Sequence, residues 1–77
     1  MSIYETIIQI VERNGIILDE RGDIFEMDSI MFVQMIVDIE VEFNIEIPDA
    51  FLRNDNYPNI QSLVYMVQEV LKSEKNG

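Results

Sequence analysis

Apolar residues fall at helical spacing in three stretches of this chain, and the stretches differ in how many of their sides are greasy. In the first, Ile3, Ile7, Ile10 and Val11 give the i, i+4, i+7, i+8 series of an amphipathic helix, widened by Ile8. The pattern predicts a helix over Ser2 to Arg13, with Ser2 as its cap and Glu5 at the capping-box distance. Asn14-Gly15 ends it, because glycine tolerates the left-handed turn that closes a helix. In the last stretch Asn59 is the cap, and Ile60, Leu63, Val64, Val67 and Leu71 form one inner face of a helix running to about Lys72. Lys72 and Lys75 lie near its negative dipole end.

The middle stretch breaks the one-face pattern. Asp28 is a helix cap, which places the Ser29 hydroxyl at the first helical position, facing water. The helix ends near Phe43, where Asn44 suits a left-handed C-terminal conformation. At about 100° per residue, Phe32, Met35, Ile36, Ile39 and Phe43 gather on a core stripe. Ile30, Val33, Val37 and Val41 form a second apolar stripe, on the side of Ser29 away from the first. Met31, Asp38 and Glu42 separate the stripes on one flank, and Glu40 lies near Ser29 on the other. Two explanations compete: a central helix buried nearly all round, or a docking surface beside the serine. A chain this short has few helices with which to bury a second face, which favours docking.

The connections are read more coarsely. Residues 16–27 form a long first loop in which Ile16, Ile17 and Leu18 pack down on the core and Ile24 and Phe25 make a second anchor. Asp19-Glu20-Arg21-Gly22-Asp23 between them is turn-prone. A calcium loop from Asp19 fails, since Arg21, Ile24 and Ile30 occupy positions that need a ligand, a glycine and a bidentate glutamate. Ile45-Glu46-Ile47-Pro48 alternates like a strand but has no partner, so it is expected to be an extended segment pinning Ile45 and Ile47. Pro48 to Leu52 begins a short third helix with Phe51 or Leu52 buried, and Arg53 to Asn56 is loop. Met27, Met31, Met35 and Met66 suggest a flexible binding stripe, although core filling suits Met35 and Met66 better. The fold class is all-α: three main helices and one short one. It makes a single domain over 1–77, with its core at about 3–72 and a tail from Ser73 to Gly77 that frays.

Composition narrows the chemistry. A chain of 77 residues with 48% hydrophobic residues folds as one small domain rather than staying disordered. It has no cysteine and no histidine, which removes disulfides, the usual zinc sites and any Ser-His-Asp or Cys-His device. An enzyme is therefore disfavoured. Fifteen acidic residues against five basic ones give a net charge of −10, which disfavours nucleic acid and anionic membrane surfaces. No Lys or Arg occurs from Gly22 to Leu52. That stretch either keeps the protein soluble or steers it toward basic partners. The N-terminus lacks the basic region of a signal peptide and no apolar run spans a membrane, so the expectation is a cytoplasmic protein with no membrane insertion.

Asp28-Ser29-Ile30 at the start of the second helix, followed at helix length by Glu40-Val41-Glu42-Phe43-Asn44-Ile45-Glu46-Ile47-Pro48, resembles carrier proteins of the acyl carrier and peptidyl carrier type. The resemblance covers roughly Ile3 to Lys72 and implies a four-helix acyl-carrier-like bundle. It implies further that Ser29 carries 4′-phosphopantetheine, installed from coenzyme A by a separate magnesium-dependent phosphopantetheinyl transferase, with Asp28 as cap and motif residue. The arm's thiol would hold acyl or aminoacyl cargo as a thioester for loading ligases and synthases. The protein itself would be a stand-alone, non-catalytic monomer. Ile30, Val33, Gln34, Val37, Glu40 and Val41 fall where family members meet their partners. Val37-Asp38-Ile39-Glu40 with Asn59-Ile60 also resembles stand-alone aminoacyl or D-alanyl carriers. Three departures stand out: Glu26 replaces the family's glycine three residues before the serine, and Met31 and Gln34 replace acidic or polar residues after it. The alternative is a carrier-fold interaction module that is never loaded, or an acidic helical adaptor.

Overall fold

Local capping chemistry sets the helix boundaries in the computed structural model, which describes residues 2–76; the side chains of Phe25, Asn54 and 74–76 lie outside the description. Helix α1 spans Ile3–Arg13, and the Ser2 hydroxyl oxygen accepts from the Glu5 N–H at 3.1 Å. The helix closes as the sequence predicts. Gly15 takes φ +75°, its N–H reaches the Glu12 carbonyl and the Ile16 N–H reaches the Val11 carbonyl, the paired bonds of a Schellman ending. Helix α2 spans Ser29–Phe43 and ends on Asn44 in the left-handed region at φ 53°. Helix α3 spans Ile60–Asn76, four residues beyond the predicted end, so the tail expected to fray is helical as far as Asn76; Gly77 lies outside the described residues. Its cap is reciprocal: Asn59 Oδ1 accepts from the Ser62 N–H at 2.8 Å, and the Ser62 hydroxyl donates to the Asn59 carbonyl at 2.6 Å.

One core joins the three helices. Helix α1 contributes Ile7, Ile10 and Val11, and α2 contributes Phe32, Met35, Ile36 and Ile39, all buried. From α3 come Ile60, Leu63, Met66, Val67 and Val70, while Val64 and Leu71 are only partly buried against them. Each fully buried Ile or Leu contributes roughly 1.5–3 kcal/mol through area removed from water. Met35 and Met66 are core residues, and Met27 and Met31 pack partly against the core, so the four methionines make no exposed stripe.

The first connection is more ordered than a loop. Strands β1 (Ile17–Leu18) and β2 (Ile24–Glu26) pair antiparallel around the Asp19 to Asp23 turn. Asp19 Oδ1 accepts from the N–H groups of Arg21 and Asp23, and the Asp23 bond leads in holding the Asp19 carboxyl below its ordinary pKa. The Ile24 N–H bonds to the Pro58 carbonyl and the Ile60 N–H to the Gly22 carbonyl, which ties this connection to the entry of α3. Ile16 is buried as expected, whereas Ile17 is exposed because the strand pleat turns it outward. Ile24 packs partly on the core; the Phe25 side chain, the other expected anchor, lies outside the described residues. Ile45 and Ile47 are buried in an extended segment, as predicted. The short third helix is a single 3-10 turn at Asp49–Phe51, followed by a second at Asn54–Asn56 in what reads as loop.

Candidate functional site

The N-terminus of α2 is built by one carboxylate. Asp28 stays extended, its Oδ1 accepts from the Met31 N–H at 2.8 Å, and its carbonyl takes the first helical bond, from Phe32. The N–H groups of Ser29 and Ile30 lie ahead of that first bond and form the positive end of the helix. Ser29 is exposed on this end. An anionic ester on its oxygen would meet a potential worth roughly 0.3–1 kcal/mol. Glu26, at the family's glycine position, ends β2 opposite Ile17. Among the described residues Asn44 alone combines a side chain with positive φ, so the backbone at position 26 does not require glycine.

The second stripe of α2 is uncovered. Ile30 is 70% exposed, Val33 58%, Val37 50% and Val41 75%. Val33 and Val37 share a groove of about 610 Å³ with Ser29, Phe32, Ile36 and Glu40. The opposite wall comes from the connection after α2, through Leu52, Arg53 and Asp55. Ile30, Val41 and Gln34 are exposed but lie outside the groove, as does Asp28. The sequence-predicted set therefore divides into a groove group of Ser29, Val33, Val37 and Glu40 and an outer group on the same helix.

Glu40 also has a structural task that its sequence position hides. Its Oε2 accepts from the Ile47 N–H at 2.9 Å, which satisfies the extended segment that has no strand partner. On the far flank Asp38 accepts from Asn14 Nδ2 at 2.8 Å and lies 3.6 Å from Arg13, tying α2 to the end of α1.

Tyr57 fixes the groove's second wall. Its buried ring stacks on Phe32 with centroids 6.0 Å apart, and its hydroxyl donates to the Phe51 carbonyl. Burial pushes the tyrosine pKa up. Arg53 pairs with Asp55 at 3.2 Å on the rim. Sequence reasoning missed Tyr57, Leu52, Arg53 and Asp55 as site residues. The one sequence signal available for them is an aromatic, Tyr57, before Pro58 in a polar loop. Among the described residues no group of three or more His, Cys, Asp or Glu side chains could hold a metal ion, and no helix is long and apolar enough to cross a membrane.

With this geometry in place, the comparisons with known proteins become informative. A family described as "Phosphopantetheine attachment site" matches residues 2–67. The D-alanyl carrier proteins of Streptococcus pyogenes serotype M5 (strain Manfredo) and serotype M1 are each 32% identical over 78 residues, covering 91% of this chain and 96% of theirs. No solved structure matches the chain.

Proposed function

The chain belongs to the phosphopantetheine attachment-site family of carrier proteins, and from that premise we propose that Ser29 bears the arm and that the protein is a discrete carrier of an aminoacyl cargo. The observation that carries the assignment is the exposed Ser29 at the Asp28-capped, positive end of α2, on the lining of a largely apolar groove. The residues fit the group: the anion meets orphan N–H groups, and the backbone before Asp28 accommodates Glu26 without strain. In loading, Ser29 Oγ forms a bond to the pantetheine-bearing phosphorus of coenzyme A. The pyrophosphate bond breaks, the adenosine bisphosphate leaves with the electron pair, and the serine proton passes to a base of the transferase. When bound, the group supplies the thiol that a chain without cysteine lacks, and cargo is held on it as a thioester.

This chain's residues orient and recognise. Asp28 fixes the turn that presents Ser29. Ile30, Val33, Val37 and Val41, with Gln34 and Glu40 beside them, form the docking face for the transferase, a loading ligase and the acceptor enzyme. The acidic surface speeds those encounters with basic partner faces. The chain performs no catalysis itself and works as a monomer in the cytoplasm. The relatives named as D-alanyl carriers support a small aminoacyl cargo rather than a long acyl chain.

Intact-mass measurement after incubation with a broad-specificity transferase, magnesium and coenzyme A tests the assignment. Wild type gains one phosphopantetheine equivalent and Ser29→Ala gains none. Wild type that stays unmodified would point instead to a carrier-fold module that is never loaded.

A further inference from the structure

The fold brings a cation onto the groove that Ser29 lines. Nothing basic occurs between Gly22 and Leu52, and α2 itself carries only acidic charges, Asp38, Glu40 and Glu42. Arg53 ends that gap, and the two 3-10 turns around it bring it onto the groove that Ser29 also lines. Among the described residues it is the sole Lys or Arg that lines that groove. Of the other described basic side chains, Arg13 pairs with Asp38, Arg21 pairs with Asp23 in the first connection, and Lys72 lies in the last turns of α3.

We propose that Arg53 is a positioning residue that pairs with the phosphodiester of the arm and so fixes the arm's root against the groove. This rests on the assignment of Ser29 as the attachment site. The phosphodiester adds a permanent negative charge to a chain already at −10, directly beside the Asp28 carboxylate that caps the same helix end. The helix end attracts the anion and Asp28 repels it, so a cation across the groove decides the balance. Arginine suits the role because its planar fork matches two oxygens of a phosphate at once. Asp55 engages Nη2, one of the fork's three nitrogens, and holds the guanidinium on the rim. Asp55 thereby positions Arg53 and also competes with the phosphate for it.

The test is a thermodynamic cycle, read at low salt because Arg53 is exposed and salt would screen the pair. Melting temperatures are measured for the unloaded and loaded forms of wild type, Arg53→Gln, Arg53→Lys and Asp55→Asn, with loading at Ser29 confirmed by intact mass. A residue that only braces the loop lowers both forms equally. A residue that pairs with the phosphate changes the difference between them. In Arg53→Gln the loaded form should fall by about 2–4 °C more than the unloaded form, the shift expected for one exposed ion pair in a domain of this size. Arg53→Lys should restore roughly half of the difference, as a point charge without the fork. Asp55→Asn should move the difference the other way, and it carries the test if Arg53→Gln does not fold. A loaded-minus-unloaded difference that is the same in wild type, Arg53→Gln and Asp55→Asn overturns the proposal while leaving Ser29 assigned. Wild type that gains no mass overturns both.

Discussion

Helices α1 and α2 pack on the same core with similar apolar residues, yet they treat their surfaces in opposite ways. In α1 the stripe residues Ile7, Ile10 and Val11 are at most 1% exposed, and Ile3 and Ile8 pack partly beside them. In α2 one stripe is buried as deeply, with Met35 and Ile39 at 0%, while four further β-branched residues are left half exposed or more. Folding explains the apolar stripe of α1, which leaves only Tyr4 exposed among its large hydrophobic side chains. It does not explain Ile30, Val33, Val37 and Val41, because a helix needs one buried face. The difference between the helices is what the proposed docking face accounts for.

The largest break in that comparison comes from equal truncations on the two faces of α2. Ile39→Ala removes a fully buried side chain and should cost about 2–5 kcal/mol, enough to leave much of a domain this small unfolded. Val41→Ala on the open stripe should stay within about 0.5 kcal/mol of wild type. Urea denaturation of both variants checks the contrast, and equal losses would mean that the open stripe is structural after all.

The second way to sharpen it reads function instead of stability. Val37→Asp puts a charge in the groove wall and should leave unfolding unchanged. It should slow modification of Ser29 roughly tenfold or more, the effect of losing one central interface residue. Rates from intact-mass time courses measure this directly. A variant loaded as fast as wild type would confine docking to Ile30 and Val41, outside the groove.

What the chain revealed in advance, and what it hid, divides by range. The caps were legible, since Ser2, Asp28, Asn44 and Asn59 act within one turn of their own helices. The two stripes of α2 were legible because they need only a helical period. The pairing of β1 with β2 was not, because its bonds continue to Pro58 and Ile60, far along the chain. Glu40 read as a surface acid because its partner, the Ile47 N–H, is brought back only by the left-handed turn at Asn44. Arg53 read as loop for the same reason: its place on the groove that Ser29 lines exists only once α2 and the 3-10 turns are packed together.

The smallest effect lies at the seam between covered and open faces. Tyr57 belongs to both, with its ring in the core on Phe32 and its hydroxyl holding the groove wall through Phe51. Tyr57→Phe keeps the ring and removes the hydroxyl. It should cost about 1 kcal/mol, the net value of one hydrogen bond, and lower the melting temperature by about 4–8 °C. Because burial raises this tyrosine's folded pKa, the unfolded chain ionises first as pH climbs past the ordinary value of about 10. The hydroxyl's share of stability is therefore complete below that pH and drains away as pH rises toward the folded pKa. Wild type should lose stability across that alkaline window by more than Tyr57→Phe does, so the two melting curves converge. Curves that stay parallel through the window would show that the wall is held by the ring alone, and the groove would then be a consequence of core packing rather than a separately fastened surface.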